Sequence, residues 1–376
     1  MKRPLPLLIA VLAAMVTLGP AWAGTPLEAR LQAAVDGFAA ANLQAPGVVV
    51  HVTCPPLGLD TDFTAGRADR GPDAPLLTAR HTFRIASNTK TYVAAAVLQL
   101  VAAGEFDLDT PLAAVLPARH REALAADGYD LAAMTLAQVL SHTSGLSEHP
   151  ADPRYAEAIE ADPQREWTRD EQVRLCVEWR DPESAPGEAF HYSDTGYILL
   201  GGLIEERTGL SLGAAVHRLL GYEALGLDAT WWERDEAPPG GAGPRAHQYY
   251  GDLDTTGWNP TLDLYGGGGL ICDADDLGRF LRALVTGRVL SPEMTVAMLG
   301  RGALNYRLGL FREDFAGRLA WGHTGFWNTF AYHVETLDLT VSGAVLNHHA
   351  TRGRELAAAL VAEVAAASGG ERPAGN

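Results

Sequence analysis

Three short groups of residues in this chain have the types and spacing for acyl-transfer chemistry. The first is Ser87-Asn88-Thr89-Lys90, a hydroxyl and an amine three positions apart at the start of an apolar, alanine-rich run. Residues i and i+3 share a helix face, so the amine can reach the hydroxyl. A helix N-terminus also favours the negative charge that develops as a serine loses its proton. Lys90 is the only lysine besides Lys2, all other Lys/Arg positions being Arg. Arginine cannot lose its proton in a protein and a buried lysine can, so a lysine kept at this position is a candidate for proton transfer. The second group is Tyr192-Ser193-Asp194, inside the loop sequence PGEAFHYSDTGY. The third is His323-Thr324-Gly325, ending an apolar run before Phe326. Taken singly, each is common: a loop tyrosine is usually a packed side chain, and His-Thr-Gly can be no more than a turn.

Their order is more specific than their parts. With the stretches FRIASNTKTYVAAAVLQLVAAGEFDLD, LSHTSGL at 140–146 and GGGGLICDADDLGRFL, the chain resembles the serine β-lactamase and penicillin-binding-protein superfamily over roughly residues 28–365. It is most similar to the branch of class C β-lactamases, soluble D-alanyl-D-alanine carboxypeptidases and related esterases. The resemblance implies that Ser87 is the nucleophile of an acyl-enzyme and that Lys90 and Tyr192 share general-base duty. It implies an oxyanion hole from the backbone N–H groups of Ser87 and Phe326. Asp194, His323, Thr324 and Gly325 then contact substrate, with His323 and Thr324 holding a carboxylate or polar group. The implied function is an exported serine hydrolase acting on a peptide, β-lactam or ester, D-alanyl-D-alanine carboxypeptidase-like. The alternatives are a carboxylic-ester hydrolase and a non-catalytic penicillin-binding-like protein of the same fold.

Two positions depart from the family pattern. The third residue of Y-x-N is Asp194, and a carboxylate only accepts where an amide could donate. Its charge is expected to raise Lys90 and His323. The carboxypeptidase branch carries a basic residue directly after Leu-Gly-Leu. Here Leu308-Gly309-Leu310 is followed by Phe311, with Arg312 on the opposite strand face, so the anchor for a terminal carboxylate is expected to be missing. Both departures move weight towards esters.

The elements that must hold these groups follow from periodicity. Residues 26–43 read as an amphipathic helix, 47–54 as a strand and 60–67 as its hairpin partner. Residues 87–103 read as a helix ending at Gly104. Strands return at 306–311, 319–324, 328–335 and 339–347, with a turn at Leu337-Asp338, and a helix covers 352–367. The fold class is α/β (α+β): an antiparallel sheet built from both chain ends and flanked by helices, with an inserted all-helical lobe. The expected units are a sheet domain of 24–106 plus 266–367, a helical lobe of 107–265 and a disordered tail of 368–376.

Composition narrows the partners. The 376 residues are 47% hydrophobic and 20% charged, with a net charge of −17, which disfavours nucleic acid or an anionic membrane. The expected partner is a small molecule or a cell-wall peptide, and oligomeric state is open. Lys2-Arg3, the apolar run Leu7–Gly19 and Ala21-Trp22-Ala23 read as a signal peptide cleaved after Ala23, giving a periplasmic or secreted protein without a membrane anchor. Cys54, Cys176 and Cys272 have no C-x-x-C partner; Cys176, in a helical pattern with Val173, Val177 and Trp179, reads as a buried apolar thiol, and cysteine pairing is open. The histidines lack metal-site spacing, so no metal and no cofactor are expected. Gly209-Leu210-Ser211-Leu212-Gly213 fits G-x-S-x-G, but a helical context reads as a helix stop and the next N-cap. The Gly266–Gly269 run reads as a close backbone approach beside the site.

Overall fold

The computed structural model describes residues 25–369. The proposed signal peptide and all but the first two residues of the proposed disordered tail lie outside that range.

Valine-rich β1 (Gly47–Cys54) turns through Gly58, in the left-handed region, into β2 (Leu59–Gly66). Short β3 (Phe83–Arg84) follows, and helices then dominate until β4 (Trp231–Trp232), β5 (Tyr249–Tyr250) and β6 (Leu253–Asp254). After β7 (Leu270–Cys272) come β8 (Gly302–Ala303), β9 (Tyr306–Arg307), β10 (Phe311–Asp314), β11 (Leu319–Gly325), β12 (Thr329–Val334) and β13 (Leu339–Val345). An eight-stranded antiparallel sheet runs β2-β1-β13-β12-β11-β10-β9-β8, so the two chain ends meet where β1 pairs with β13.

Both sheet faces are covered, which explains why β1, β12 and β13 are almost wholly buried rather than alternating. Val48, Val50 and Val52 pack towards helices Pro26–Ala41 and Gly353–Ala367, with Leu31, Leu356 and Leu360. Val49 and Ala344 face the larger core with Leu277 and Phe280 of helix Ala274–Val285. That helix lies close: a Cβ at Gly278 would collide with Ser342 Oγ.

Two features refine the sequence reading. Residues 107–265, expected to be all-helical, also contain β4 and the β5-β6 hairpin, and β4 pairs with β7 beside β3, both from outside that stretch, in a three-stranded sheet β3-β7-β4. Two-residue strands are too short to show a period in sequence. The expected strand 306–311 is broken: Leu308 and Leu310 are both buried, and Gly309 sits at φ +84° with its N–H bonded to the Leu140 carbonyl. The bend folds the chain back, so that Phe311 pairs with Tyr306.

Candidate active site

Ser87 lies in the 3-10 turn Ala86–Asn88 that leads into helix Thr89–Ala102. Ala86 takes φ +45°, sparsely populated for a residue with a Cβ and a common mark of functional turns. The turn is tied down from β12, because Thr329 Oγ1 donates to the Ile85 carbonyl and accepts from Asn88 Nδ2, at 2.9 Å each. The end of β11 passes the same carbonyl. A Cβ at Gly325 would collide with Ile85 O, which gives the last residue of His-Thr-Gly a steric reason. Phe326 follows at the cleft edge, 49% exposed.

The Tyr192 loop is positioned by a cap. Ser193 is the N-cap of helix Asp194–Thr208, accepting from Gly196 N–H and donating to the Ser147 carbonyl. Asp194 therefore opens the helix, where a carboxylate is favoured. From the other side stands His142, in the stretch LSHTSGL, at φ +56°. Its carbonyl accepts from His191 N–H, its Nδ1 accepts from Ser193 N–H at 3.0 Å, and its ring lies 4.2 Å from that of Tyr192.

These elements converge on Lys90, whose side chain has no solvent exposure. Its Nζ donates to Ser87 Oγ at 2.9 Å and to the Gly267 carbonyl at 2.7 Å, and lies 2.5 Å from Asp194 Oδ1. The Gly266–Gly269 run thus supplies an acceptor, and a Cβ at Gly267 would sit 3.3 Å from the Asp194 carboxyl carbon. Burial alone pushes the amine down, but the charges of Asp194, Tyr192 and Asp263 outweigh it, and Lys90 is raised above the ordinary lysine value. Burial also raises Tyr192, opposed by Lys90 and by its interactions with Lys90 and Ser87. Lys90 is therefore a held cation, while Tyr192 is a buried phenol beside Ser87.

His323 departs from expectation. It is completely enclosed, and burial together with the Lys90 charge depresses it to about 3, so Asp194 does not raise it above the ordinary histidine value. The neutral ring donates from Nδ1 to the Thr324 carbonyl at 2.7 Å, so Nε2 accepts from the Tyr306 hydroxyl at 3.1 Å. It supplies no charge for a carboxylate. Thr324, half-exposed, lines the cleft beside it.

The cleft has two arms meeting at Ser87, Asp194 and Phe326. The larger, about 580 Å³, is bounded by Tyr192, Phe311, Thr324, Glu148 and Arg352. Phe311 faces it, as the strand alternation requires. Arg352, at the start of the C-terminal helix, is a cation that inspection of the Leu-Gly-Leu region could not find. The smaller arm, about 310 Å³, is walled by Tyr155, Ile159, Trp258 and Trp327, with Asp263 alongside.

Sequence reading also missed Glu148, Asp263 and His142. Burial and the nearby Asp194 charge raise Glu148 to about 8 and Asp263 to about 7. The remaining candidates are structural. Ser211 caps helix Leu212–Leu220, and the three cysteines are buried and unpaired. Among the described residues no helix is long and apolar enough to cross a membrane.

Comparison with known proteins gives a consistent pattern. The family model described as Beta-lactamase matches residues 26–366. Esterase EstB of Burkholderia gladioli is 37% identical over 171 residues, 43% of this chain and 41% of that protein. Penicillin-binding protein 4 of Amycolatopsis lactamdurans is 30% identical over 182 residues, 47% of this chain and 42% of the relative. The chain thus spans less than half the length of these two relatives. A D-stereospecific amidohydrolase from Streptomyces sp. superposes with a TM-score of 0.74 at 27% identity, covering 88% of this chain and 97% of that one.

Proposed function

The chain belongs to the beta-lactamase family, and from that premise we propose that it is a serine hydrolase whose preferred substrates are carboxylic esters. The observation that carries this reading is the ion pair of Asp194 with Lys90 at 2.5 Å, beside Ser87. A carboxylate at this point accepts but cannot donate, so an acylamido carbonyl of a peptide or β-lactam finds no partner there. An ester needs none, and its leaving group departs with less protonation. The similarity to esterase EstB supports the same reading.

In this mechanism the reacting form holds Tyr192 as the phenolate beside the Lys90 cation, and Ser87 Oγ attacks the acyl carbon as its proton passes to that phenolate. The fixed Lys90 charge holds the phenolate form of Tyr192 before the attack and stabilises the negative charge that develops on Ser87 Oγ, 2.9 Å from Nζ. The backbone N–H groups of Ser87 and Phe326 receive the carbonyl oxygen as it becomes an oxyanion. Collapse breaks the bond to the leaving group, which takes the proton from Tyr192. Water then cleaves the acyl-enzyme by the same proton route in reverse. Lys90 acts as a held cation rather than as the base. Export after cleavage behind Ala23 belongs to this reading.

A second reading, removal of a terminal residue from a peptide, is favoured by Arg352, which lines the larger arm and can pair with a leaving-group carboxylate. Parallel turnover of a nitrophenyl acetate, a chromogenic cephalosporin and a D-Ala-D-Ala peptide separates the two. Ester turnover at least about 100-fold above the others, lost in Ser87→Ala, is the expected outcome. Peptide turnover exceeding that of the ester would overturn it.

A further inference from the structure

The two arms of the cleft have different chemistry, and, given the hydrolase reading above, the proton path assigns them. The group that protonates a leaving group must touch it. Tyr192 lines the larger arm and not the smaller one, so the leaving group departs through the larger arm and the acyl substituent occupies the smaller.

The smaller arm is built for a particular kind of substituent. Its walls are aromatic and aliphatic. Trp258 and Trp327 meet edge to face at 6.2 Å, Tyr250 stacks on Phe326 at 5.8 Å, and Ile159 closes one side. Apart from its tyrosines, its ionisable side chains are the carboxylates Glu160, Asp194 and Asp263, and no Lys, Arg or His lines it. Asp194 is paired with Lys90, whereas the Asp263 carboxylate makes no hydrogen bond or ion pair among the described residues. Gly268 lets the backbone close around it, since a Cβ there would collide with Asp263 Oδ2. An aromatic-walled pocket with an unpaired carboxylate suits an apolar group that carries an ammonium, held by ring faces and charge together. It repels an anionic group from the same position.

We infer that the smaller arm is the acyl-side pocket and that it selects a bulky, preferably aromatic, acyl group bearing a protonated amine, the chemistry of an aminoacyl ester or amide. Hydrolysis balances simply: the acyl carbon–heteroatom bond breaks, water supplies the acid oxygen, and the leaving group takes a proton.

The test compares kcat/KM of the full chain on nitrophenyl esters of acetate, 3-phenylpropanoate, phenylalanine (both enantiomers) and succinate, at pH 8. At that pH Asp263, which burial pushes up to about 7, is mostly ionised. Phenylpropanoyl is expected to exceed acetyl about ten-fold, one phenylalanyl enantiomer to exceed phenylpropanoyl about ten-fold, and succinyl to be poorest. Asp263→Asn should remove the amine advantage while keeping the phenylpropanoyl-to-acetyl ratio. Ile159→Trp should lower that ratio about ten-fold. A wild-type enzyme that turns over acetate but shows no gain from the ring or from the amine overturns the assignment, whether or not the variants fold. Calorimetric titration of Ser87→Ala with phenylalaninamide and 3-phenylpropanamide reads the pocket without turnover. Tighter binding of the amine there, with no ester hydrolysis by the wild type, would sink the hydrolase reading and leave the pocket standing. Equal binding sinks the pocket.

Discussion

At the scale of single residues, Asp194 sets the charge felt by Lys90 and Tyr192. Its carboxylate lies 2.5 Å from Lys90 and contributes to the raised values of both Lys90 and Tyr192. Asp194→Asn removes that charge, so both groups fall and the deprotonated forms are reached at lower pH. The acid limb of the kcat/KM–pH profile should move to lower pH by about one unit or more. The restored amide donor should also raise β-lactam turnover relative to ester turnover about ten-fold, the worth of one buried hydrogen bond. A limb and a ratio that both stay put would remove Asp194 from the mechanism. His323 carries the opposite lesson: its position in the motif suggested a titrating cation, and complete burial against Lys90 makes it a neutral spacer between Tyr306 and the Thr324 carbonyl.

At the scale of elements, the site depends on how the loop of Tyr192 is pinned to the segment around His142. The ring of His142 accepts from Ser193 N–H and packs on Tyr192, while its carbonyl holds His191. His142 is a positioning residue, reaching the chemistry only through Tyr192. His142→Ala should lower kcat about ten-fold or more with KM nearly unchanged. His142→Asn, whose side-chain oxygen can still accept from Ser193 N–H, should recover part of that loss. Steady-state kinetics on a nitrophenyl ester, with thermal midpoints alongside, make the check. Equal losses in both variants, or a loss confined to the midpoint, would reduce His142 to packing.

At the scale of the whole molecule, carboxyls crowded around one buried cation set the pH dependence of stability. Glu148 is raised from 4.5 to about 8 and Asp263 from 3.8 to about 7, in both cases through burial first and the Asp194 charge next. For such groups the folded state binds more protons than the unfolded one between the two values. Stability is therefore highest below the unfolded value and falls as pH rises towards the folded one. The thermal midpoint should drop between about pH 5 and pH 8. Glu148→Gln, which cannot ionise, should flatten that decline and stabilise the protein at pH 8 by roughly 1–2 kcal/mol, a few degrees in midpoint for a chain of this size. Calorimetric melts at pH 5, 6.5 and 8 test this. A variant that melts with the same pH slope as the wild type would show that Glu148 does not carry it.

Whatever is encoded locally could be read from the chain alone. The valine run of β1, the strands around residues 319–345 and the terminal helices each show their own period, and closure of β1 on β13 follows from where those runs fall along the chain. Ser87-x-x-Lys90 was legible because both groups lie on one turn of one helix, and Lys90 Nζ sits 2.9 Å from Ser87 Oγ. Ser211 was recognisable as an N-cap for the same reason. The charge states and the cleft, by contrast, came only with folding. Glu148, Asp263 and Arg352 belong to segments far apart in the chain, with nothing local to mark them. The shift of His323 depends on desolvation and on Lys90, 233 positions away in sequence and brought near only by folding. Short strands such as β4 exist only because partners arrive to pair with them. Pairing and desolvation are long-range terms, and no spacing along a chain records them.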